Sequence, residues 1–242
     1  MKPRRIFLVR HGEAEGNLNK NIFKTKPDYA TLLTPLGVQQ AQSVGNDLRI
    51  HLNGETVAIY WSPYFRTRQT CLEIVKKLET HQISSQYMRE EPLLREQEWT
   101  GSFRMTTHGS KELKELEEER DRYGHFLYRL GDDKSNGESC ADVYDRQGDF
   151  NHTLWRDFQK KSFPKNVLLV THGMAMRVWL MRWLHLTTEE FEILANPKNC
   201  ELWQMDLNPE SGKYDLVTEI RKYDAPKCEF PYPYERIGVR GL

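Results

Sequence analysis

RIFLVRHGEAEGN, residues 5–17, runs a short apolar stretch, residues 6–9, directly into Arg10, His11 and Gly12. An apolar run of that length between polar flanks reads as a strand buried on both faces. Two more stretches, residues 56–61 and 166–171, have the same character, and a helical pattern follows each of the three. Thr34 and Pro35 place an N-cap and a first-turn proline ahead of a helix reaching about residue 51. The second helix is expected over residues 64–78. The third is expected over residues 174–184, with Arg177 as its main polar interruption. Residues 201–206 and 214–220 alternate like edge strands of the same sheet. Together these patterns predict an α/β fold, a three-layer α/β/α sandwich around a mostly parallel sheet. Right-handed crossovers then put the functional loops at the carboxyl ends of the strands.

With 242 residues the chain is long enough for one large domain, 1–242. A helical insertion is expected near residues 100–135, bounded as the segment 99–134, and an irregular C-terminal tail over 223–242. KELKELEEERDRYGHFLYRL, residues 111–130, reads as a charged helix with a weak apolar stripe. Lys+Arg and Asp+Glu are equal at 35 each, which removes any whole-chain argument for a nucleic-acid or anionic-membrane partner. Any anion site must be local. The apolar run near the start is shorter than the roughly 7–15 residues of a secretory segment. The apolar-rich stretch 174–186 is broken by Arg177, Arg182 and His185 and falls short of the ~20 residues that span a bilayer. Cys71, Cys140, Cys200 and Cys228 are far apart with no CxxC, as expected of reduced thiols in a cytoplasmic protein.

A lone histidine at a strand end is more often structural than catalytic, so the test is what the other strand ends offer. VLLVTHGMAMR, residues 167–177, repeats the strand, histidine, glycine arrangement with His172 and Gly173. SPYFRTRQT, residues 62–70, places Arg66 and Arg68 at a helix start, where residues two apart face different sides and only one can enter the site. A neutral imidazole is a good nucleophile toward phosphorus, and a guanidinium beside it can grip phosphoryl oxygens in bidentate fashion. Gly12 is expected to let the backbone turn tightly after His11.

These residues resemble the histidine phosphatase superfamily, in its phosphoglycerate-mutase-like branch. Arg10-His11-Gly12-Glu13 with Asn17 resembles the branch's RHGE signature and following asparagine. Residues 33–41, LTPLGVQQA, and VTHGMAMR around His172 also match. LLREQEWTG, residues 93–101, resembles the segment carrying the proton-donating carboxylate. The resemblance implies His11 as nucleophile, with Arg10, Arg66, His172 and Asn17 around the phosphoryl oxygens and Gly12 and Gly173 lining the site. Arg68 is left to structure. Glu96 is the alignable donor, Glu98 is its competitor, and Glu13 and Glu15 are weaker candidates. Ser139, in SNGESCADVYDR, is expected to cap a helix with Asp142 in its first turn, and Glu138 to fix arginines. Trp179 and Trp183 are expected in the core.

The implied reaction is hydrolysis of phosphomonoesters through phosphohistidine, with no metal and no cofactor. The implied ligand is a small phosphorylated substrate or inorganic phosphate. The segments REQEWTG, NGESCADVYDR and FEILANPKNCE look most like fungal and plant broad-range acid phosphatases. Mutases of the branch carry a longer insertion with an arginine pair; here Glu96 and His172 are 76 positions apart with no Arg-Arg pair between them, so the resemblance argues against a mutase. A mutase or sugar-bisphosphate phosphatase remains the nearest alternative, and a non-catalytic phospho-ligand binding protein is the alternative from another class.

Overall fold

The computed structural model describes residues 2–85, 87–99, 111–129 and 137–224. A six-stranded sheet is built from β1 (Arg5–Arg10), β2 (Val57–Trp61), β3 (Tyr87–Glu90), β4 (Asn166–Thr171), β5 (Leu202–Leu207) and β6 (Tyr214–Leu216), in the order β3-β2-β4-β1-β5-β6. β3, β2, β4 and β1 run parallel, while β5 is antiparallel to β1 and β6 to β5. The register pairs Arg10 with Thr171 and Trp61 with Val170, so the ends of β1, β2 and β4 lie side by side. The segments that follow them open onto one edge of the sheet.

The helices are α1 (Glu15–Leu18), α2 (Pro35–Leu52), α3 (Phe65–Thr80), α4 (Lys111–Tyr123), α5 (Cys140–Phe158), α6 (Gly173–Leu184) and α7 (Thr188–Glu192). The side-chain alternation of the strands divides the core between the two faces of the sheet. Ile6, Leu8, Ala58, Tyr60, Val167 and Leu169 pack with Phe150, Leu154 and Phe158 of α5 and Met176, Trp179 and Leu180 of α6. Phe7, Val9, Val57, Ile59, Leu168 and Val170 pack with Val44, Leu48 and Leu52 of α2 and Ile74, Val75 and Leu78 of α3. This is the expected three-layer sandwich. Burying a leucine or isoleucine of this kind contributes about 1.5–3 kcal/mol, so the central strands form a rigid platform under the loops.

Thr34 caps α2 by accepting the Gly37 amide, and Ser139 caps α5 in a capping box with Asp142. Both follow the sequence reading. Trp179 is fully buried and stacks on half-buried Trp183 at 4.8 Å.

Several boundaries differ. β5 is an inner strand, between β1 and β6, because the short β6 adds one more antiparallel pairing outside it. β6 ends at Leu216 rather than 220. The charged helix stops at Tyr123, where Gly124 takes a φ of 85°, a left-handed conformation that suits glycine after a helix end. The insertion expected over 99–134 is described only at residue 99 and residues 111–129. Of the expected tail, 225–242 lie outside the described residues, as does Cys228. No helix among the described residues is long and apolar enough to cross a membrane.

Candidate active site

His11 follows β1 and is buried. Its Nδ1 lies 2.7 Å from the carbonyl oxygen of Gly12, an acceptor only, so the ring proton sits on Nδ1 and Nε2 carries the lone pair. Arg66 Nε donates to that Nε2 at 3.1 Å. Burial, followed by the charges of Arg66 and Arg10, holds His11 well below the ordinary imidazole value and keeps the ring neutral.

Arg66 is fixed from behind. Asp28 takes its Nη1 at 2.9 Å and its Nη2 at 3.3 Å, and the Asp28 carbonyl and Thr31 hydroxyl also accept from Nη1. Its guanidinium lies over the Tyr64 ring at 4.9 Å. Arg68, two positions on, is exposed. The helical spacing therefore sorts the two arginines as expected.

His172 is the N-cap of α6 and is wholly buried, its ring 5.2 Å from that of His11 in an edge arrangement. Its Nε2 lies 2.7 Å from Ser62 Oγ. Burial, then the Arg66 charge, keeps it neutral too. Arg10 donates from Nη1 to the Pro197 carbonyl at 2.7 Å, while its buried Nε has no hydrogen-bond partner among the described residues.

Glu96 reaches the first turn of α6, where its Oε1 accepts the Ala175 amide at 3.1 Å and its Oε2 lies 3.4 Å from the Met174 amide. Burial raises its carboxyl above the ordinary range; the Gln97 amide and the charges of Arg66 and Arg10 oppose this without reversing it. The segment around it is held at several points. Thr171 Oγ1 donates to the Leu94 carbonyl, and Arg146 donates to the carbonyls of Leu93 and Glu96. Glu138 grips Arg146 and Arg95 and accepts the Glu98 amide. The arginines that Glu138 fixes are thus those behind Glu96, not the pair beside His11. Glu98 is instead 3.5 Å from the Tyr64 hydroxyl. Glu13 accepts from Thr34 Oγ1, and Glu15 pairs with Lys26, so both are engaged away from His11.

The surroundings of three residues expected at the site are specific. Gly12 does not adopt a positive φ; what demands glycine is space, since a Cβ there would lie 2.4 Å from the Gly37 carbonyl oxygen. A Cβ at Gly173 would meet the end of the Asn196 side chain at 2.3 Å, which would have to move aside. Asn17 is exposed, and its Oδ1 is already occupied by the Ala14 amide and Asn199 Nδ2, leaving its own amide N–H groups for a ligand.

The sequence reading missed Asp28, Thr31 and Ser62. It also missed the loop 196–200, which supplies the Pro197 carbonyl to Arg10 and the Asn199 amide to the His11 carbonyl. The NPKN run in that loop, between a helix and a strand, was its one available signal. Among the described residues no cluster of three or more His, Cys, Asp or Glu is arranged to hold a metal ion.

The family model described as histidine phosphatase superfamily (branch 1) matches residues 6–219. The chain belongs to this superfamily. It is 38% identical over 227 residues to phosphoglycerate mutase-like protein AT74 of Arabidopsis thaliana, covering 89% of this chain and 68% of that one. It is 28% identical over 312 residues to broad-range acid phosphatase DET1 of Saccharomyces cerevisiae, covering 92% and 91%. Among solved structures, mycobacterial glucosyl-3-phosphoglycerate phosphatase superposes with a TM-score of 0.68 at 20% identity, over 90% of this histidine phosphatase-family chain and 98% of its own. That likeness is one of fold.

Proposed function

We propose that the protein is a phosphatase that hydrolyses a broad range of phosphomonoesters through a phosphohistidine on His11, without a metal or cofactor. The observation that carries this reading is a neutral His11 whose tautomer the Gly12 carbonyl fixes, with Nε2 directed at Arg66. His11 Nε2 attacks phosphorus as the bond to the ester oxygen breaks, and Glu96 gives its proton to that oxygen. Glu96, now a carboxylate, takes a proton from water as the water attacks the phosphohistidine, which releases inorganic phosphate and restores both residues. Arg10, Arg66 and His172 meet the charge on the equatorial oxygens, with the Asn17 amide at the rim.

DET1 is by name a broad-range acid phosphatase, and its similarity extends over nearly the whole of both chains, which supports hydrolysis over mutase chemistry. A cytoplasmic setting is part of the same reading, on the free cysteines among the described residues: Cys71 and Cys140 are buried thiols that burial pushes up to about 12. The test is hydrolysis of an aryl phosphate in EDTA by the wild type and by His11→Ala. Turnover that survives the chelator and vanishes in the variant is expected; full activity in the variant overturns the mechanism.

A further inference from the structure

Ser62 lies just past the end of β2 and is completely buried. Its Oγ accepts the Tyr64 amide at 3.4 Å and stands 2.7 Å from His172 Nε2. A serine hydroxyl has one proton to donate, and the imidazole nitrogen is the acceptor it meets. From this geometry we propose that Ser62 is a positioning residue of the phosphoryl site: its hydroxyl donates to His172 Nε2 and so fixes the imidazole proton on Nδ1, as the donor to a phosphoryl oxygen. The inference rests on the phosphatase reading above.

His172 Nδ1 is buried and has no hydrogen-bond partner among the described residues. A buried donor left unsatisfied is costly, so its natural partner is a ligand. The ring that carries it stands 5.2 Å from His11 and 4.9 Å from Tyr64, both at edge angles, which places it beside the nucleophile. The opposite tautomer fails on two counts. With the proton on Nε2, the Ser62 hydroxyl proton would lose its acceptor in a fully buried position. Nδ1 would then present a lone pair where phosphoryl oxygens must approach. Ser62 thus does for His172 what the Gly12 carbonyl does for His11, with the sense reversed: one histidine is held as acceptor and nucleophile, the other as donor.

Nitrogen NMR of the phosphate-free wild type at neutral pH, with His172 assigned by comparison with His172→Gln, reads the tautomer directly. A proton on Nδ1 is expected; a proton on Nε2 overturns the proposal. In Ser62→Ala the two tautomers mix, inorganic phosphate binds about tenfold more weakly, and kcat on an aryl phosphate falls by a similar factor. Ser62→Thr, which restores the hydroxyl, recovers most of both. An unchanged tautomer and unchanged phosphate affinity in folded Ser62→Ala also overturn it. Should the wild type bind phosphate with His172 in the Nδ1–H form yet hydrolyse no ester, the phosphatase reading fails while the role of Ser62 in phosphate binding stands.

Discussion

Replacing Glu138 with alanine removes the acceptor that holds the Glu96 segment together. Glu138 receives Arg95 Nη2 at 2.6 Å, Arg146 Nε at 2.8 Å, Arg146 Nη2 at 3.0 Å and the Glu98 amide at 2.9 Å. The Arg146 side chain is only 9% exposed, so its charge would stay buried without its counter-ion. Breaking such a pair costs about 3–5 kcal/mol. Arg146 keeps the carbonyls of Leu93 and Glu96, which sets the expected loss near the lower end, about 3 kcal/mol. For a chain of this size that corresponds to a fall in Tm of roughly 6–12 °C.

The pH dependence carries a definite sign. Burial raises the Glu138 carboxyl, but the Arg146 pair, the Glu98 amide and Arg95 outweigh it, so its folded value lies below the ordinary 4.5. The stabilisation is therefore complete above about pH 4.5 and is lost as pH falls through the lowered value. Urea unfolding of both proteins at pH 7 and at successively lower pH measures the difference. Because Glu96 rides on the same segment, kcat should fall by roughly ten- to a hundredfold, with KM changing less. A destabilisation below about 1 kcal/mol at pH 7, or one that grows on acidification, refutes the reasoning.

Two other outcomes follow from the site. In the proposed mechanism His11 works unprotonated and Glu96 as an acid; burial holds His11 well below 6.5 and raises Glu96 above 4.5. The kcat/KM profile should therefore rise with pH through the lowered His11 value and fall again as Glu96 ionises, and Glu96→Gln should abolish the alkaline limb while lowering kcat about a hundredfold or more. Gly12→Ala drives a methyl against the Gly37 carbonyl oxygen at 2.4 Å, so it should cost about 1–3 kcal/mol in urea unfolding and reduce activity by shifting His11.

The fold was readable because the three inner parallel strands, β1, β2 and β4, are apolar on both faces and each is followed by a helix, whose start is marked for α2 by Thr34-Pro35. β3 was not. It pairs only with β2, is mostly exposed, and spells YMRE, with no apolar alternation to mark it. At the site, Arg10, His11, Arg66, Glu96 and His172 announced themselves because they adjoin strands or sit in motifs with demanding chemistry. Asp28 and Ser62 act on other side chains rather than on the substrate, and a lone aspartate in a loop or a serine before proline carries no periodic signal of that work. Glycine was legible at 12 and 173, but the neighbours that crowd them were not. The close approach of Gly37 and Asn196 is made by segments distant in the chain.

The central claim is that phosphorus becomes bonded to His11. Rapid quenching of the wild type with a labelled aryl phosphate, followed by digestion under alkaline conditions and mass spectrometry, locates the bond. The account predicts an acid-labile phosphoryl group on the peptide containing His11, formed at the rate of the first turnover and absent from His11→Ala. Turnover with no phosphoryl-enzyme on that peptide, or with label on another residue, would contradict it.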